Sequence, residues 1–334
     1  MSLLASLLAA GPGLVAPALM PQQRLIRMSK AIEECYRQQY DSSWNLISAL
    51  VREDTTDPAA AYWQASLVQM LCYETGDKAM IDSFHKLNDR VEGLSLRRTG
   101  FGQNKDTLAY LYLGLARLNR ANSLAWEQKR VEALQALVSA MAPLRTALSL
   151  ESTLADAKYG LGMIEYFRAQ GDKYLLGLGI LGSKQRAFEL VREAAACSGL
   201  CNVSARFSLA WMLGQEHEYA EALSQCASLL QAYPDNRSVL RTMRDILFSK
   251  GDYDTVLTIG RCLEAGVCKS FPGNKYYLAE NWLKMARAWA ALGQAESSLV
   301  LLDKIIAWEE YRDRVPWLGT YVTEAKALRK DICH

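Results

Sequence analysis

The chain has little of what most enzyme and nucleic-acid-binding classes need. Among its 334 residues there are only three histidines, His85, His217 and His334, far apart in sequence and none in an HExxH pattern. No Cys-x-x-Cys pair occurs, so neither a paired-cysteine zinc site nor a haem attachment sequence is present. No Gly-x-Ser-x-Gly elbow occurs, and the Gly-x-Gly in GLGIL follows no strand-like run, which excludes the usual dinucleotide fingerprint. The adjacent pairs Glu33-Glu34 and Glu309-Glu310 point to different sides of a helix and make poor catalytic dyads. An excess of one charge is also missing. Thirty-eight basic and 36 acidic residues give a net charge of +2, without the basic surplus of a dedicated nucleic-acid binder. Alternating β-branched runs are nearly absent, and proline is sparse at eight residues, so little in the composition reads as strand.

What is present is apolar periodicity. Half of the chain is hydrophobic, enough for a long buried core and too much for a mainly disordered chain. Helical patterning begins after Pro21 and runs in pairs separated by short polar turns such as Thr75-Gly76-Asp77, Glu216-His217-Glu218 and Gly251-Asp252. Glu216-His217-Glu218 is read as a solvated turn. The pairs are 22–39 with 42–53, 60–75 with 78–92, 107–121 with 127–150, 155–170 with 184–197, the two units in 203–266, and 275–291 with 295–309. A last helix, 317–331, carries Glu324, Lys326, Arg329 and Lys330. Two stretches break the rhythm: a polar connection at 93–105 and an apolar, glycine-rich insertion, GDKYLLGLGILGS, at 171–183.

The first twenty residues, MSLLASLLAAGPGLVAPALM, carry no charge. A helical apolar core, a Gly11-Pro12-Gly13 break and Ala16-Pro17-Ala18 spacing resemble a cleavable export signal, although no basic residue precedes the apolar run. The alternatives are a retained anchor or an apolar tail. Export to the periplasm is the expectation, with a cytoplasmic or membrane-associated location as the alternative.

Eight cysteines suit either buried small apolar residues or disulfides formed after export. Cys197 with Cys201, and Cys262 with Cys268, each flank an expected helix end that contains a glycine, Gly199 or Gly266. These are the candidate bridges.

The helix pairs in 203–266 repeat every 34 residues, with Leu113-Gly114, Leu161-Gly162, Leu209-Ala210 and Met285-Ala286 at matching offsets. This period and these small residues resemble the tetratricopeptide repeat (TPR). The small residue lets two helices cross closely; Ala140, Ala222 and Ser298 serve the partner helix. Arg244 stands at the small position of its unit and puts the local helix spacing in question. The order of features from ADAKYGLGMIEYF to LLQAYPDN is similar to exported bacterial TPR proteins distantly like the tetratricopeptide-39 family.

The resemblance implies an all-α, right-handed superhelical solenoid of about seven hairpins over 22–332, closed by a polar C-terminal helix. It implies no activity and no cofactor or metal. It also implies that the first helix of each hairpin lines a concave face. Carried over by position, that face holds Trp63, Met70, Tyr73, Leu111, Tyr159, Met163, Tyr166, Phe207, Trp211, Arg241, Asp245 and Phe248. The surface is apolar and aromatic, with only Arg241 suited to a carboxylate clamp. The function expected is a non-enzymatic scaffold or adaptor that takes a protein or peptide partner on this face and no nucleic acid. Two alternatives stay open. One is a membrane-associated assembly factor using residues 1–20 or 171–183, and the other is an enzyme of unrecognised type. A face filled by the chain itself, with 171–183 as the filler, is the competing structural reading.

Overall fold

The helix pairs expected from periodicity appear in a computed structural model that describes residues 19–99, 105–172 and 182–333. In chain order the elements are α1 (Gln22–Tyr36), α2 (Tyr40–Glu53), α3 (Pro58–Thr75), α4 (Lys78–Thr99), α5 (Thr107–Trp126), α6 (Arg130–Leu150), α7 (Ala155–Asp172) and α8 (Lys184–Ala196). Then come α9 (Asn202–Gln215), α10 (Tyr219–Ala232), α11 (Arg237–Lys250), α12 (Tyr253–Ser270), α13 (Lys275–Ala291), α14 (Ala295–Ile306), a short 3-10 turn at Glu309–Tyr311 and α15 (Leu318–Cys333). Among the described residues there is no strand, and the fold is an all-α repeat solenoid.

Each hairpin is built from local signals. In six of them the first helix stops at a left-handed residue that turns the chain: Gln38, Gly76, Gln128, His217, Gly251 and Gly293, with φ between 61° and 88°. His217 therefore serves the turn, and its Nδ1 lies 2.6 Å from the Tyr219 hydroxyl. Helix starts are capped by side chains that accept from backbone N–H groups, as Asp106 does from Ala109, Ser183 from Arg186 and Asp252 from Thr255.

The small-residue rule holds within hairpins. A Cβ on Gly114 would run into Leu144 of α6, and one on Gly162 would come within 2.7 Å of Val191 of α8. Arg244 shows how the rule can be broken. It is fully buried. Its guanidinium donates to Glu280 Oε1 at 2.5 Å and Asn281 Oδ1 at 2.8 Å, both on α13, and Asn281 donates in turn to the carbonyl of Gly260 at 2.8 Å. On α12 the absent side chain of Gly260 leaves its space to Met285 of α13.

Two expectations are corrected. The connection placed at 93–105 begins later, because α4 continues to Thr99. Leu94 and Ser95 are buried, and Glu92 is held by Arg117 and Arg120 of α5, so the helix is packed through its glycine. The candidate bridges are not formed. Cys262 and Cys268 both lie inside α12, six residues apart on one continuous helix, a rise of about 9 Å with the side chains on different faces. Cys197 is exposed and Cys201 buried; both are free, as are the other six cysteines. The insertion at 171–183 falls mostly outside the described residues, as does most of 1–20.

The chain divides into two compact units. One comprises the described residues within 1–30, 49–60 and 90–208; the other comprises those within 31–48, 61–89 and 209–334. In the first, Arg24 donates to Asp57 (Nε to Oδ2, 2.9 Å), while the other oxygen of Asp57 caps α3 by accepting from Ala59 N at 2.8 Å. The second unit brings the tips of the first two hairpins, near Tyr36 and Glu74, onto the starts of α11 and α13.

Candidate functional site: the inner faces of the first helices

The twelve residues expected on the inner face divide between the two units and differ in exposure. In the first unit, Leu111, Met163 and Tyr166 are buried. Tyr166 accepts a hydrogen bond from Gln170 at 2.8 Å and lies edge-on to Phe188, so it acts as core. Tyr159 and Phe207 are partly exposed. The Tyr159 hydroxyl is 3.4 Å from that of Ser208, and burial pushes its phenol up to about 12.

The second unit holds Trp63, Met70, Tyr73, Trp211, Arg241, Asp245 and Phe248. Trp63 is buried against Tyr62; the other six are partly exposed. Met70 Sδ sits 3.3 Å from the Cys35 thiol, which burial pushes up to about 12.

Arg241, Asp245 and Phe248 follow i, i+4, i+7 spacing and so share one face of α11. The neighbouring helix α13 completes this cluster. Asp245 accepts from Arg244 at 2.9 Å and pairs with Lys284 at 3.3 Å. The Lys284 ammonium also stands 4.9 Å above the Phe248 ring. Arg241 stacks on Tyr277 at 5.4 Å. Among the described residues its guanidinium donates no side-chain hydrogen bond, because Arg244 takes the carboxylates of Asp245 and Glu280. Burial works against the Arg241 cation, but Tyr277, Glu280, Tyr276 and Asp245 outweigh it and hold the group charged. Burial also opposes the Asp245 charge, while Arg244, Lys284 and Arg241 pull its pKa below the ordinary value.

Three cations and two carboxylates thus meet beside an aromatic wall. Glu280, Lys284 and Tyr277 were missed by position counting. Their signal was the Glu-x-x-x-Lys step on α13 among aromatic residues.

Among the described residues no group of three His, Cys, Asp or Glu side chains could hold a metal ion. The arrangement offers charge, a stacked guanidinium and apolar rings, which suits binding.

No family profile and no curated protein matches the sequence. Solved structures of low sequence identity resemble the chain to differing degrees. Cut9–Hcn1, described as an APC/C hetero-tetramer, is 12% identical with a TM-score of 0.57; the match covers 96% of this chain and 57% of that one. YrrB, described as a TPR protein with an unusual peptide-binding site, is 17% identical with a TM-score of 0.42, covering 65% of this chain and 92% of its own. PilW, described as a type IV pilus biogenesis factor, is 12% identical with a TM-score of 0.42, covering 90% and 99%. The closer likeness to the tetratricopeptide-39 family finds no support among these comparisons.

Proposed function

Starting from a tetratricopeptide-repeat fold, we propose that this chain is a non-enzymatic scaffold that holds a protein or peptide segment on the inner faces of its first helices. The observation that carries this reading is the α11–α13 cluster. Arg241, Asp245, Phe248 and Lys284 are partly exposed, and they place cations, a carboxylate and a ring side by side. Trp211, also partly exposed, adds an aromatic group from α9. Such a face binds an extended or helical segment through its apolar side chains and fixes register by charge. Residues 1–20 support export as the setting; sequencing the N-terminus of the mature protein tests that. Capture experiments comparing the wild type with Trp211→Ala and Tyr159→Ala test the scaffold. A partner recovered equally by folded variants sinks the inner-face reading.

A second reading rests on α6. This helix is long and apolar enough to cross a membrane by length and composition alone. Ala133, Ala136, Leu137, Ala140, Leu144 and Ala147 are buried inside the unit, which makes it a core helix. Its outer side carries Val131, Leu134 and Val138 at 68%, 53% and 54% exposure, with the i, i+3, i+7 spacing of one stripe. The reading is peripheral contact with a bilayer through this stripe. Flotation with anionic liposomes tests it, and a chain that stays at the bottom of the gradient rules it out.

A further inference from the structure

The second unit contains a contact that periodicity gives no reason to expect. Asn236 caps α11 by accepting from Val239 N at 3.0 Å, and its Nδ2 donates to the carbonyl of Tyr36 at 2.8 Å. Asn274 does the same at α13. It accepts from Tyr277 N at 3.0 Å and donates to the carbonyl of Glu74 at 2.7 Å. Each donation spans 200 residues. The ends of α1 and α3 are therefore seated on the starts of α11 and α13 in matching register. This joins orphan carbonyls at helix C-termini to the capping residues of helix N-termini.

Glu74 ties the contact together. Its Oε2 accepts from Arg237 Nε at 2.8 Å and from the second guanidinium nitrogen, and its Oε1 accepts from Gln38 at 3.0 Å. Arg237 also donates to Ser270 at 3.0 Å and lies over the Phe271 ring. The Tyr276 side chain packs directly on Gly76, leaving no room there for a Cβ, and Tyr36 meets Tyr233 ring to ring at 5.8 Å.

The character of this contact sets it apart from the packing inside hairpins. Besides the aromatic packing of Tyr276 on Gly76 and of Tyr36 on Tyr233, it is made by side chains reaching backbone carbonyls and by one buried ion pair. The two asparagine donations are side-chain bonds to carbonyls at the ends of α1 and α3, so separation would break no hydrogen bond within a helix and would hand those carbonyls to water. Removing one partner of a buried ion pair leaves an uncompensated charge, which makes the closed arrangement depend steeply on Glu74 and Arg237 together. Tyr73, next to Glu74, stands in the last turn of α3, the end that is held.

We propose that the tips of the first two hairpins form a latch: they close this unit by seating on α11 and α13, and they release as a pair to give a partner segment access to the face carrying Trp63, Met70 and Tyr73. The access step rests on the scaffold reading above; the latch itself does not.

The test uses the full chain and the double variant Asn236→Ser with Asn274→Ser. Serine keeps the capping oxygen and removes the donor to the distant carbonyl. Hydrogen exchange followed by mass spectrometry should show amides in the last turns of α1 and α3 and the first turns of α11 and α13 exchanging at least tenfold faster. Rates in α5 to α8 should be unchanged. The dye 8-anilinonaphthalene-1-sulfonate should bind with a several-fold rise in fluorescence as the apolar face opens. Glu74→Gln, measured the same way, should act in the same direction and serves if the double variant does not fold. Unchanged exchange at α1 and α3, or an equal rise throughout the chain, overturns the latch. Local release without a gain in dye binding overturns the access step. Local release and dye binding together with full partner capture by Trp211→Ala would sink the scaffold reading alone.

Discussion

Glu74 and Arg237 lie 163 residues apart in sequence and form an ion pair whose side chains are only 4% and 7% exposed. Bringing two charges out of water is costly, and their attraction offsets that cost only while both are present. Glu74→Ala should therefore destabilise the chain by about 3–5 kcal/mol, because Arg237 is left buried and unpaired. Glu74→Met combined with Arg237→Met should cost much less than either single change. Urea denaturation of Glu74→Ala, the two methionine single variants and the double variant gives the comparison, and equal losses in single and double variants would contradict it.

Arg244 makes a second buried network. Arg244→Ala removes the donor to Glu280 and Asn281 and leaves a cavity, with an expected loss of about 3–5 kcal/mol. Gly260→Ala should also destabilise, because its new Cβ would come within 2.6 Å of Met285, and this should outweigh the gain of about 1 kcal/mol in helix propensity. Chemical denaturation measures both. A more stable Gly260→Ala variant would show that Met285 moves aside freely.

Gln128 adopts φ 64° at an exposed turn where three other hairpins use glycine, Gly76, Gly251 and Gly293. A side chain in that region costs about 1–2 kcal/mol, part of which glycine loses again through unfolded-state entropy. Gln128→Gly should raise stability by about 0.5–1 kcal/mol. The same change made in mid-helix, for instance Gln135→Gly on α6, should lower it. Melting temperatures of the pair provide the check.

Asp156 is buried in the first turn of α7, and its carboxylate accepts from the backbone N–H of Cys201 at 2.9 Å. Burial pushes its pKa upward, against the pull of its backbone donors. Between the unfolded carboxylate value and the raised folded value, the folded chain binds the proton that the unfolded chain has released. Stability from this group therefore falls as pH rises through that window and stays lower above it. Asp156→Asn keeps the accepting oxygen and removes the titration. The difference in melting temperature, wild type minus Asp156→Asn, should shrink from pH 4.5 to pH 7.5. A difference that grows over that range would reverse the assignment.

Cysteine reactivity should separate into two classes. Cys197, Cys262, Cys268 and Cys333 are exposed and should react with Ellman's reagent in the native protein. Cys35, Cys72, Cys201 and Cys226 are buried, and burial pushes Cys35 and Cys226 up to about 12 and Cys201 well above the ordinary thiol value. These four should react only in denaturant. A total below eight in denaturant without reductant would reveal a disulfide.

Much of this was legible in the sequence, because it is local. Apolar spacing marks each helix, the turn residues mark where each pair reverses, and Gly114 and Gly162 mark where helices cross closely. Seven hairpins and a final helix follow from such signals. Position counting also placed Arg241, Asp245 and Phe248 together on α11. It could not distinguish Tyr166, which is core, from Trp211, which is partly exposed, since both are large residues at inner offsets. Nor could it show that Gly266 lies inside a helix, because a glycine at a helix end and one within it look alike in sequence.

The sequence by itself determined the repeat, since neighbouring residues dictate helix, turn and crossing. The tertiary structure alone decided what Glu74, Arg237, Asn236 and Asn274 do. Read locally, two asparagines are helix caps and the charges are ordinary polar residues. Their second partners lie 163 and 200 residues away, and a period of 34 residues carries no information about which hairpin ends meet across that distance. Arg244 illustrates the same division at short range. Its position breaks the repeat, and only the packed neighbours Asp245, Glu280 and Asn281 supply the hydrogen bonds and charge that let it remain.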